Sequence, residues 1–392
     1  MTNAALGMNE RWHILVGSFL CLLLLSSCAS QATSTNMTPT AGVTPTAGLH
    51  YTPGILPHFS DWRAAYLGPD GHAHVVTLDG KTNLIGAPLP DLSSNGLNIS
   101  SAGIGADGKT FAYAPTSLNL VDITGQTPPR AINVYGGVYN IVWSPDSSKM
   151  YSWSGPDSIM YVTLADGKAT TVTPGHGIRG EVGWIDNTHL AAVSYANYLT
   201  DNHGNQNATT ATLDSFDITT NQVRVIATIH DGSGVIFNFI ISPDGSQALY
   251  YNDPDNQFEG GPFTPTVALI NLASGHITWL SRITAATGGQ FSGLAWRPGS
   301  DTIAVSNGGS IVKTWLLDVA ADTATQIPPT GNPVGWAPDN GPLVLSSGWQ
   351  TGIGLGQYTL TAVTCASGAQ CTDVTLTKDA MTFPFLGFAH NP

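Results

Sequence analysis

Three carboxylates at short spacing, Asp253, Asp255 and Glu259 in the segment Asn252–Gly261, could offer hard oxygens to calcium. They lack the full spacing of a known calcium loop, and a solvated acidic turn accounts for the same residues. Calcium is thus the one cofactor the sequence puts forward, and nothing in it demands any. His176, in Pro174-Gly175-His176-Gly177, could act as a base or a ligand, with Arg179 three residues on. His203 alternates with Asp201 and Asn205 in a Gly- and Asn-rich stretch, His230 and Asp231 are adjacent, and Gly348-Trp349-Gln350 adds an aromatic. Ordinary loop polarity explains each of these alone; they become a site only if the fold gathers them. Catalytic templates fail: there is no Gly-x-Ser-x-Gly elbow, no His-Glu-x-x-His helix, no Walker loop and no Rossmann fingerprint.

The elements that would position these residues begin after a leader. Arg11 precedes an apolar run from about Ile14 to Leu25, too short for a mature membrane helix of ~20 apolar residues, so residues 1–27 read as a signal peptide. Leu25-Ser26-Ser27-Cys28 resembles the bacterial lipobox, and the resemblance implies that Cys28 is the lipidated mature N-terminus. Residues 28–50 are rich in Thr, Pro, Ala and Ser, with Thr38-Pro39-Thr40-Ala41-Gly42 nearly repeated as Thr44-Pro45-Thr46-Ala47-Gly48, and read as a tether without apolar periodicity.

The 392-residue chain carries 13 Lys+Arg against 26 Asp+Glu, a net charge of -13, and only 10% charged residues. Helical bundles need charged solvent faces and soluble domains average roughly 25% charged residues, so an all-β surface of hydroxyls and turns fits better. No basic stripe exists for nucleic acid. For the same reason, contact with anionic lipid is expected only through the anchor.

Residues 51–392 carry a repeat. Ile141-Val142-Trp143-Ser144-Pro145-Asp146, Val182-Gly183-Trp184-Ile185-Asp186, Phe239-Ile240-Ile241-Ser242-Pro243-Asp244-Gly245, Leu294-Ala295-Trp296-Arg297-Pro298-Gly299 and Val334-Gly335-Trp336-Ala337-Pro338-Asp339 share one pattern, with degenerate copies at Ala102–Gly108 and Leu386–Pro392. A β-prone run follows each of the first six copies in chain order, and a second turn recurs further along every unit, as at Asp79-Gly80, Asp166-Gly167 and Ser274-Gly275. Two hairpins make a four-stranded propeller blade. The segment from Ala64 to Ile85 supplies three strands and Phe385–Phe388 a first strand, so the ends of the domain are expected to join in closing a seven-bladed, all-β, antiparallel propeller.

Ser144-Pro145-Asp146-Ser147-Ser148 and Ser242-Pro243-Asp244-Gly245-Ser246 resemble the TolB-type, WD-like β-propeller repeat, over roughly residues 61–392. In this frame Trp143, Trp184, Trp296 and Trp336 are expected to wedge between blades. Asp146 and Asp244 are expected to cap their turns. Cys365 and Cys371, flanking a turn in an exported chain, are expected to form a disulfide across an outer hairpin.

Loops joining second to third strands, and one blade to the next, open on one face; the Pro-Asp turns are expected on the other. The loop-rich face would carry His176, Arg179, His203, His230, Asp231 and Trp349, together with the acidic segment. The reading that follows is a monomeric, non-enzymatic propeller lipoprotein, extracytoplasmic in a bacterial envelope, binding a protein, peptide or glycan through this face. The alternative is a propeller enzyme, a metal-assisted hydrolase or lactonase-like, with its site at the channel mouth.

Overall fold

The computed structural model describes residues 61–89, 101–114, 118–132, 139–155, 158–172, 183–200, 206–230, 237–252, 266–289, 291–307, 312–350, 356–366, 370–380 and 387–390. These form seven four-stranded antiparallel sheets. Six blades are contiguous in the chain: blade 2 runs from Ser101 to Ile132, blade 3 from Tyr139 to Val172, blade 4 from Gly183 to His230, blade 5 from Phe237 to Trp279, blade 6 from Gly293 to Ile327 and blade 7 from Asn332 to Ala380. Blade 1 is composite. Its inner strand, Gly387–His390, pairs with Trp62–Leu67, which continues through His72–Thr77 to Asn83–Pro88. The inner strands of neighbouring blades contact one another, so they line the axis.

Every blade is covered on both faces, and the strands show why. Along Trp62–Leu67 the side chains alternate between two seams: Ala65 and Leu67 pack with Phe111 and Tyr113 of blade 2, while Ala64 and Tyr66 pack with Val344 and Leu360 of blade 7. Both parities are therefore apolar, as in any sheet buried on two sides. The buried apolar side chains of the described residues form seven clusters, one per seam. Alanines at the centre, among them Ala112, Ala192, Ala248 and Ala304, are fully buried and let the sheets approach closely.

The four repeat tryptophans lie in the seams as expected. Trp143 donates its indole N–H to the Gly103 carbonyl at 3.2 Å, Trp184 to Val142 at 3.0 Å and Trp336 to Ala295 at 3.0 Å, each reaching the preceding blade. Trp296 packs against Leu249 and Tyr251 of blade 5 but donates to Ser300 of its own turn at 2.9 Å. The one described helix, Ser281–Thr287, follows the short outer strand of blade 5. Its N-cap, Leu280, has no side-chain acceptor, and Asp322 of blade 6 instead accepts from the N–H groups of Arg282 and Ile283, both at 3.0 Å.

Candidate functional site

The two ends of the ring are built differently. On one, the turns after the inner strands are locked by a serine and an aspartate. Ser242 donates its hydroxyl to Asp244 at 2.6 Å and accepts the Gln247 N–H at 2.9 Å, while Asp244 accepts from the Ser246 N–H at 3.1 Å. Ser144 and Asp146 repeat the arrangement, with 2.7 Å from the Ser144 hydroxyl and 2.9 Å from the Ser148 N–H. Both aspartates cap their turns, as the sequence leads one to expect. The Ser242 hydroxyl holds the Asp244 carboxyl below its ordinary value against the cost of burial. Burial pushes Asp146 up, but the Ser148 N–H and the Ser144 and Ser148 hydroxyls outweigh it and lower it overall.

Turn also bonds to turn around this end. The Asp107 N–H donates to the Ser147 hydroxyl oxygen at 3.2 Å, and the Asp146 N–H to the Asn187 amide oxygen at 3.1 Å. The ends of the described chain emerge here too, because Trp62 pairs with His390 and the Trp62 indole reaches Asp339 in the corresponding turn of blade 7.

The opposite face holds the ends of the second and third strands, and two hairpins project from it. In blade 4 these strands, His189–Thr200 and Gln206–Asp217, have 12 residues each, and in blade 7, Leu343–Gln350 and Gly356–Cys365 have 8 and 10. Elsewhere the corresponding strands have 5 to 7. At ~3.3 Å per residue, the extra residues of blade 4 extend its hairpin by roughly 20 Å. Beyond the pairing of Thr210 with His230, its tip is a two-stranded ribbon.

His230 ends the outer strand of blade 4 on this face, and Trp349 pairs through its backbone with Gln357 near the tip of the blade 7 hairpin. Nothing is described of their side chains. His176, Arg179, His203 and Asp231, the acidic set Asp253, Asp255 and Glu259, and Cys28 all lie outside the described residues. The strand ends that bracket the first seven, such as Thr200 and Gln206 around His203, open on the loop-rich face.

One expectation about the faces is corrected. The Pro69-Asp70-Gly71 turn joins the second and third strands of blade 1, so it lies on the loop-rich face and not with the other Pro-Asp turns. The cause is the composite blade, whose chain starts at the second strand. This turn carries a group that sequence reasoning missed. Asp70 lies 2.9 Å from His74 Nε2 and 3.4 Å from His72 Nδ1, and it accepts the His72 N–H at 3.1 Å.

Burial raises the Asp70 carboxyl, but hydrogen bonds from His74 and from the His72 backbone lower it overall. An ionised carboxylate only accepts, so His74 donates to it from Nε2. The His74 Nδ1 is buried with no partner among the described residues, and the ring stacks on Tyr66 at 5.1 Å. Histidines two and four residues after the aspartate of a Pro-Asp-Gly turn were the available signal. At the channel rim of the same face, Ser306 donates to Asn332 Oδ1 at 2.8 Å and lies 3.1 Å from the Ser292 hydroxyl.

On the turn face the inner-strand ends of blades 3, 4 and 5 line a largely apolar cavity of about 370 Å³, with Trp143, Pro145, Trp184, Phe239, Ile241 and Pro243 in its wall. Among the described residues no three His, Cys, Asp or Glu side chains converge to hold a metal ion. The Cys365–Cys371 disulfide is formed, across the outer hairpin of blade 7 as expected.

No protein-family model matches the chain, and no curated protein matches it. Solved structures do. An oligogalacturonate lyase from Vibrio parahaemolyticus aligns with a TM-score of 0.53 and 15% identity, over 81% of this chain and 84% of the lyase. An oligogalacturonate lyase in complex with manganese gives 0.51 and 14%, over 81% and 84%. A chain of the mitotic checkpoint complex gives 0.51 and 12%, over 78% of this chain and 92% of that one. At such identities the likeness is one of fold, shared by a lyase and by a chain of a protein assembly.

Proposed function

We propose that the protein is a lipid-anchored binding module of a bacterial envelope, holding a protein, peptide or glycan partner on its loop-rich face. One relationship carries the reading: the chain enters the ring on the turn face, at Trp62, and the hairpins of blades 4 and 7 project from the face opposite. The loop-rich face is therefore the one that does not receive the incoming first strand. The hydrogen-bonded turns provide a stiff base, and long hairpins on a rigid scaffold are where propellers place recognition. The fold likeness to a chain of a protein assembly is consistent with this reading.

The test has two arms. Metabolic labelling with a fatty-acid analogue should mark the full chain and fail for Cys28→Ala. Affinity capture from envelope extracts should recover a partner with the intact domain and lose it when residues 198–208 are replaced by a two-residue turn. Recovery unaffected by that replacement would refute the role of the loop-rich face.

A further inference from the structure

Between blades 6 and 7, opening on the turn face, lies a cavity of about 450 Å³, within the range of ~300–1,000 Å³ usual for small-molecule sites. Arg297 and Trp336 form one wall, with the guanidinium carbon 5.2 Å from the indole centroid. The indole is itself fixed by its bond to Ala295. Asn340, Thr302, Thr323, Thr325 and Thr364 line the remainder. Arg297 has no carboxylate partner within ion-pair distance among the described residues, in a chain of net charge -13. Its Nε and the Thr364 hydroxyl oxygen are both buried with no hydrogen-bond partner there.

Arg297 is half-buried and only its Nε is cut off without an acceptor, so the rest of the fork is free to take a planar carboxylate, the group it fits best. Asp318, the one acid in the wall, already accepts the Ala321 N–H at 2.9 Å. A single cation suits a single negative charge, and the threonines suit an otherwise hydroxylated body. Cys365 lines the same cavity, so the disulfide fixes its outer rim.

We infer that the seam between blades 6 and 7 is a binding site for a sugar acid, with Arg297 on the carboxylate and the threonine wall on the hydroxyls. Calorimetric titration of the disulfide-bonded protein with D-glucuronate, D-glucose and acetate tests it. Glucuronate should bind, glucose and acetate each at least about tenfold more weakly, because each lacks one half of the recognition. Arg297→Ala and Arg297→Lys should both weaken glucuronate by about tenfold or more, the lysine variant because it keeps the charge without the fork. If either variant fails to fold, Thr364→Val, which leaves Arg297 in place, should still reduce affinity several-fold. No heat with glucuronate at tens of millimolar, equal binding of glucose, or equal binding of acetate as an adventitious anion would each overturn the assignment.

Discussion

The Trp62 indole N–H donates to Asp339 Oδ2 at 3.0 Å across 277 residues of sequence, joining the first described strand of blade 1 to the inner turn of blade 7. It stands beside the pairing of Trp62 with His390, so the same residue serves in both closures of the ring. Trp62→Phe should keep the ring and cost about 1 kcal/mol, measured by urea unfolding. Removing residues 387–392 strips the edge of Trp62–Leu67, and unfolding should then lose its single cooperative transition. A truncated chain that melts like the full one would refute the closure.

The serine–aspartate turns should be worth more than surface contacts usually are. Ser242 is buried and both donates and accepts, so Ser242→Ala strands the Gln247 N–H and takes one hydrogen bond from the Asp244 carboxylate, which keeps those from Ser246. A loss of about 1–3 kcal/mol is expected, against less than about 0.5 kcal/mol for Ser274→Ala on an exposed outer turn. Denaturant midpoints of the two variants decide it.

Acid should weaken the ring in a defined window. The Thr77 hydroxyl lowers Asp79 from 3.8 to about 2, the Thr219 and Thr220 hydroxyls lower Asp217, and the Ser242 hydroxyl lowers Asp244. A carboxyl held down in the folded state leaves the unfolded chain binding more protons at low pH. The stabilisation is therefore full above roughly pH 5 and is lost as pH falls through 4 toward about 2. Thermal melts should show that slope, and a triple Asp→Asn variant at the three positions should flatten it while lowering stability at pH 7.

Reduction of the Cys365–Cys371 bridge, which spans a sequence separation of 6, should cost roughly 2 kcal/mol by the loop-closure relation. The double serine variant should match the reduced protein in a melt, since the bridge constrains the chain more than it adds contacts. It should also loosen the wall around Cys365 and weaken any ligand held there.

Two glycines in the same left-handed conformation should respond differently to alanine. A Cβ on Gly245 would fall on the Ile185 carbonyl oxygen of blade 4, whereas one on Gly299 meets open space, their φ angles being +70° and +65°. Gly299→Ala should cost about 1 kcal/mol of backbone strain, and Gly245→Ala should add a seam clash and exceed about 3 kcal/mol. Equal melting temperatures would show that the blade 4–5 seam relaxes freely.

The repeat, the count of seven blades, the wedged tryptophans, the turn-capping aspartates and the disulfide were all legible in the sequence. The turns and the disulfide depend on residues a few positions apart, and the blade count and the wedged tryptophans on one motif recurring at blade spacing, so that each tryptophan meets the blade before it. What the tertiary structure alone decided is relational. The composite blade set the Pro69–Gly71 turn, with its local Asp70, His72 and His74 group, on the loop-rich face. The seam between blades 6 and 7 set Arg297 over Trp336 and in the same cavity wall as Thr364, residues separated by 39 and 67 positions. Local hydrogen bonding fixes a turn wherever it occurs, but the neighbours of a side chain across a seam follow from how rigid, twisted sheets stack around an axis, and no short stretch of residues carries that information.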